Sequence, residues 1–217
     1  MTEVVVAPKP LMRGWSHVVA AVVAATLGAV LIGFAPGVIG HTTMAVYVAG
    51  ICAMFTVSAL YHRLPWRGQA LRRMSKLDHS TIFLAIAGTY TPVAVLGIDG
   101  TLGTVVLVMV WAGALAGIAI QWLPFELPRW LSTAVYVLVG WVAVIALPEL
   151  FHDLGGAGLG LVLAGGVCYT LGAVVYATRR PDPWPRVFGF HEVFHAFTVI
   201  AAALHMSAVG LVVLPSA

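Results

Sequence analysis

The sequence predicts an all-α integral membrane protein: a seven-transmembrane helix bundle with its N-terminus in the cytoplasm and its C-terminus outside. Three observations lead there. First, 61% of the 217 residues are hydrophobic and only 9% are charged, against roughly 25% charged in a soluble domain. So few polar side chains cannot cover a water-facing surface, and the solvent must be lipid. Second, apolar stretches of about 20 residues recur along the chain, each long enough to cross about 30 Å of hydrocarbon as a helix. They are continuous rather than alternating, which argues against a transmembrane barrel. Third, the basic residues all fall on one side.

The expected spans are 15–35, 43–64, 78–97, 102–122, 130–148, 158–178 and 189–213. The first, following Lys9 and Arg13, reads as an uncleaved helix rather than a signal peptide because so many spans come after it. Residues 1–14 form a cytoplasmic tail and residues 15–214 a single membrane domain, since the connections are short. With the N-terminus inside, Lys9 and Arg13 are cytoplasmic. So are Arg63, Arg67, Arg72, Arg73 and Lys76 after span two, Arg129 after span four, and Arg179, Arg180 and Arg186 after span six. These are all 11 Lys and Arg of the chain, and adding or removing one span would scatter them across both sides. The net charge of +3 therefore orients the protein and does not point to nucleic acid. Cys52 and Cys168 sit mid-span without a C-x-x-C partner and read as small packing residues. The glycine pairs Gly113/Gly117 and Gly156/Gly160 read as helix-packing positions.

Ionisable groups inside a span are costly and call for a reason. Asp99, His152 and Asp153 fall in outer loops and Glu149 at a span end, where water reaches them. His17 and His41 lie near span ends and are expected at the interface. The remaining groups converge. Ser58 and His62 lie four apart near the inner end of span two, Asp78 begins span three, and His191, Glu192 and His195 begin span seven. Residues four apart share a helix face, so His191 and His195 aim at one point and Ser58 lies beneath His62. The topology, fixed by basic residues alone, brings all of these to one depth.

His191-Glu192-x-x-His195 matches the H-E-x-x-H zinc pair of metalloproteases. A protease needs a third ligand. The residues after His195 hold no carboxylate, and His205 stands about 15 Å further along the helix. A third ligand must come from another span, and His62 has the right depth. Three neutral imidazoles leave one position of a tetrahedral zinc site open, with Asp78 placed to orient a ligand or a bound water. Iron or another divalent metal fits the same set, and a metal-free cluster of hydrogen-bonded histidines is the competing reading. Glu192 points about 100° away from His191, toward interfacial water or Arg186. His79 and His205 read as structural.

The stretches "SALYH" (58–62), "LDHSTIFLAIAGTYTP" (77–92) and "HEVFH" (191–195) resemble the bacterial hemolysin III proteins, a branch of the progestin and adipoQ receptor family that includes the adiponectin receptors. The likeness covers essentially the whole chain. It implies a zinc ion near the cytoplasmic face held by His62, His191 and His195, with Asp78 acting through the metal-bound water and Ser58 in the same cluster. It also implies a bacterial plasma-membrane location and a place near the ceramidase-like membrane hydrolases. The large soluble N-terminal region of the receptors has no counterpart in the sequence, so hormone binding is not expected.

The leading expectation is a zinc-dependent hydrolase of lipid amides or esters, or a sensor of membrane lipid derived from one, with Asp78 as general base and Ser58 at the oxyanion. The alternatives are a non-enzymatic protein in which zinc staples helices, and a membrane-perturbing cytolysin. For the cytolysin the sequence offers no amphipathic strand pair or charged lumen stripe. An intramembrane protease lacks its acidic ligand.

Overall fold

The computed structural model describes residues 9–125 and 127–213. The first eight residues of the expected tail and residue 214 of the expected membrane domain lie outside the described residues. The chain is helical almost throughout: α1 (Trp15–Phe34), α2 (Gly37–Arg63), α3 (Gly68–Leu96), α4 (Gly100–Gln121), α5 (Arg129–Gly140), a 3₁₀ turn (Val142–Ala146), α6 (Leu147–Thr178) and α7 (Phe190–Val213). Among the described residues the β pairing is a single isolated bridge, Trp184 with Phe188. Six helical stretches are long and apolar enough to cross a membrane, with Arg129–Thr178 counted as one run of 50 residues.

That run is not one rod. A straight helix of its length would extend about 75 Å, more than twice the hydrocarbon thickness. Its two ends instead meet: the Arg129 guanidinium lies 4.9 Å above the Tyr176 ring. Halfway along each arm, Trp141 Nε1 donates to Thr170 Oγ1 at 2.9 Å. Both pairs straddle Gly155, whose φ of 65° and ψ of −178° lie in a region that only glycine enters readily. The chain doubles back there as a helical hairpin, where the sequence predicted separate spans 130–148 and 158–178. The 3₁₀ turn interrupts the first arm, and Tyr90 on α3 bridges the break. Its hydroxyl donates to Gly140 O at 2.7 Å and accepts from Ala143 N at 2.8 Å. Glu149, His152 and Asp153, expected at a span end and in an outer loop, lie instead in the helical turns leading to Gly155.

Short connections make sequential helices neighbours, and α3 lies at the centre, touching α2, α4, α5 and α7. Helix α1 closes the ring between α2 and α7. The closest approach joins α2 to α3. A Cβ on Gly50 would stand 2.7 Å from Leu84 O, and one on Gly88 would stand 3.2 Å from Val46 O, so each helix offers a glycine where the other's backbone passes. On α6 the packed glycines are Gly158, Gly165 and Gly172, facing Leu211, His205 and Phe197 of α7. Their seven-residue spacing gives a seam typical of left-handed packing. This corrects one expectation. Gly117 does pack, against the Phe83 ring, but Gly160 has nothing within 4 Å, because the hairpin turns that face outward.

Helix α3 begins at Gly68, ten residues ahead of the predicted span. Hydropathy marks where a helix enters lipid, not where it begins, and the first turns carry the exposed Arg72 and Arg73. Lys76 donates to Leu123 O at 2.8 Å, joining this end of α3 to the end of α4. Asp78 therefore sits inside a helix that is already established.

Candidate metal centre

His62 occupies the last turn of α2, and Ser58 lies one turn before it on the same face; both are buried. Asp78 comes from the central helix, and His191 and His195 from the first turns of α7. The three imidazoles each bring a nitrogen to a common point, with all three atoms within 4.8 Å of one another. His62 Nε2 and His191 Nε2 are 3.1 Å apart. The ring centroids stand 4.7 Å apart for His62 and His191, 5.0 Å for His62 and His195, and 4.6 Å for His191 and His195. The Asp78 carboxylate reaches to 4.0 Å from His62 Nε2. The structure brings His62, His191 and His195 together with Asp78 beside His62, and Ser58 lies one turn before His62 on α2.

The donor set can be tested against a cation. Two nitrogens each about 2.0–2.1 Å from a tetrahedral zinc stand roughly 3.3 Å apart, close to the 3.1 Å between His62 and His191. Two facing imidazole nitrogens at that distance either share one proton or direct both lone pairs at one cation. His195 is 1% exposed, and its Nδ1 has no protein partner. These residues can hold a metal ion.

The start of α7 is fixed independently of any metal. Glu192 is buried. Its Oε1 accepts from Arg13 Nε and its Oε2 from Gly189 N–H at 2.8 Å. Asp182 Oδ1 accepts from Phe190 N–H at 2.8 Å. Two carboxylates thus satisfy backbone N–H groups at the helix start that have no partner within the helix, two residues and one residue before His191. Glu192 was expected to face water or Arg186. It turns inward because Arg13 is held near, with Leu11 and Met12 N–H bonded to Arg186 O and Val187 O.

His17 is the residue that the sequence concealed. Expected at the interface, it is 3% exposed and stacks on His195, with centroids 3.8 Å apart and planes 8° from parallel. Phe55 of α2 meets its ring edge-on at 5.1 Å. Gly14, the α1 N-cap with a φ of 80°, passes so close that a Cβ would stand 2.8 Å from His62 Cβ. Residues 13–17 therefore cover the cluster. "RGWSH" carried a signal, a histidine placed just inside a span, but nothing in its spacing linked it to residues far along the chain. His79 bridges Ser75 O and Tyr176 Oη, His205 contacts Val162 O at 3.1 Å, and His41 is exposed.

The chain is similar to known proteins over most of its length. The family model described as "Haemolysin-III related" matches residues 5–206. The chain belongs to the haemolysin-III-related family. It is 32% identical to Hemolysin-3 of Bacillus cereus over 187 residues, which cover 85% of this chain and 80% of that one. It is 39% identical to the Hemolysin-3 homolog of Bacillus subtilis over 129 residues, 58% of this chain and 57% of that one. It is also 29% identical to the adiponectin receptor protein of Drosophila melanogaster over 172 residues, 71% of this chain and 38% of the receptor. The resemblance read from the three motifs is thereby established. A haemolysin-III-related chain with these apolar helices is a multi-pass membrane protein.

Proposed function

We propose that the protein is a zinc-dependent hydrolase of lipid amides or esters in the inner leaflet of a bacterial plasma membrane. In this reading it crosses the membrane seven times, the Arg129–Thr178 hairpin twice, with the N-terminus inside. The one-sided Lys and Arg and the meeting of Arg129 with Tyr176 support that count. The observation that carries the chemistry is the convergence of three imidazole nitrogens within 4.8 Å beside a carboxylate from a third helix. His62, His191 and His195 hold the ion. When bound, zinc supplies Lewis acidity and lowers the pKa of a coordinated water toward neutrality. Asp78 takes the proton of the attacking water as its oxygen bonds to the acyl carbon, and returns it to the leaving nitrogen or oxygen as the acyl bond breaks. Once Asp78 carries the proton, the Ser58 hydroxyl is free to donate to the developing oxyanion. The buried surroundings exclude competing water. The test is metal content of purified wild type beside His62→Ala, with turnover on a panel of ceramides, acyl amides and esters. Parallel loss of zinc and turnover is expected. A zinc-replete wild type inert across the panel would overturn the hydrolase.

One observation favours a second reading. Helices α2 and α7 pack mainly against α1, α3 and α6, so the cluster is the principal link between them and a bound ion would staple the two. A staple predicts that chelation lowers thermal stability and leaves no turnover to lose; an enzyme predicts that turnover is lost first.

A further inference from the structure

Where residues 9–13 pass the end of α2, a recess of about 520 Å³ opens beside the cluster. Lys9, Arg13, Arg63 and Arg67 line it, and His62 forms part of its wall. The four cations are not equivalent. Arg13 is engaged by Glu192, and Arg63 lies 4.4 Å over the Trp15 ring. Lys9 and Arg67 are exposed, and among the described residues neither makes an ion pair. No carboxylate lines the recess among the described residues. The surroundings are amphipathic. Leu11 is 70% exposed and Leu64 43%, while Trp66 also lines the recess and is anchored by Nε1 to Leu60 O at 2.9 Å, as suits a residue at the headgroup layer.

The positive-inside rule accounts for basic residues on this face. It does not account for their gathering around a concavity that has no carboxylate among its described lining residues and reaches a histidine of the cluster. A ligand for this recess carries negative charge to meet Lys9 and Arg67 and an apolar remainder to rest against Leu11 and Leu64. We propose that the recess binds the anionic headgroup of a membrane phospholipid, with the lipid's polar end against His62. The proposal rests on the hydrolase reading only in naming the lipid class that reaches the centre; binding itself requires no turnover.

The experiment uses full-length protein in mild detergent, titrated with phosphatidylglycerol or phosphatidylcholine and followed by native mass spectrometry. Metal content and thermal stability are measured on every sample. The variant Lys9→Gln/Arg67→Gln is compared with Arg72→Gln/Arg73→Gln, which removes the same charge from exposed positions outside the recess. Wild type and the Arg72/Arg73 variant are expected to prefer phosphatidylglycerol, and the Lys9/Arg67 variant to bind it roughly tenfold more weakly with metal content and stability unchanged. Equal weakening in both variants would reduce the effect to general surface charge and overturn the site. So would wild-type indifference between the two lipids. Displacement of the lipid by inorganic phosphate at comparable concentration would reassign the recess to a soluble anion. Failure of the hydrolase, seen as inert zinc-replete protein, leaves each of these readings intact.

Discussion

The ends of α1, α2, α3 and α7 that meet at the histidines and the hairpin of α5 and α6 are built on different physics. The first region is dense and polar. Buried in it are the imidazoles of His17, His62 and His195, the Ser58 hydroxyl, and the Glu192 carboxylate paired with Arg13. The hairpin is apolar and more exposed, and its shape comes from Gly155, the 3₁₀ turn and three glycines spaced seven residues apart. Buried polar groups need partners in fixed places, so the first region is specified by side chains from distant segments. The hairpin is specified locally, by backbone conformation and the absence of side chains. Specificity and site sit in the first region; the second supplies a wall.

Metal affinity is the sharpest way to break this contrast. His195→Ala is expected to lower it by more than about 100-fold, since even partners one layer behind the ligands cost 10–100-fold when removed. Trp141→Phe in the hairpin should leave it unchanged, as read by competition with a chelator. Equal losses would erase the distinction. Next comes the ion pair. Arg13→Ala leaves Glu192 charged and buried beside the start of α7, and should destabilise by about 3 kcal/mol in denaturant titration. The double change with Glu192→Gln should recover much of that loss.

Glycine substitutions sharpen the comparison at smaller scale. Gly50→Ala forces a methyl to 2.7 Å from a carbonyl oxygen of α3, and backbone cannot step aside as a side chain can. A loss of about 2 kcal/mol is expected. Gly160→Ala in the hairpin meets open space and should instead gain roughly 0.5 kcal/mol from helix propensity. A shared sign at both positions would show that the two regions pack alike.

Much of the site is legible in the order of residues along the chain. Imidazoles four apart on a helix must share a face, and the placement of Lys and Arg along the chain leads one to expect Ser58, His62, Asp78, His191 and His195 at one end of the bundle. His17 and Arg13 are not legible in that way. Their partners, His195 and Glu192, are on a helix more than 170 residues away by number, |i−j| being 179 for the ion pair, and no local pattern encodes such pairing. The same limit explains Glu192, read as facing water because the element that covers it is invisible in sequence, and Gly160, read as a contact because spacing is visible but facing is not.

By itself the sequence determined that this chain is a bundle of membrane helices and that its polar groups gather at one end, because hydropathy and charge act on each segment independently of its neighbours. The tertiary structure alone decided that α1 closes over the histidines and that Arg13 neutralises Glu192. Those outcomes depend on which surfaces meet, and contact is a property of pairs of segments rather than of any one.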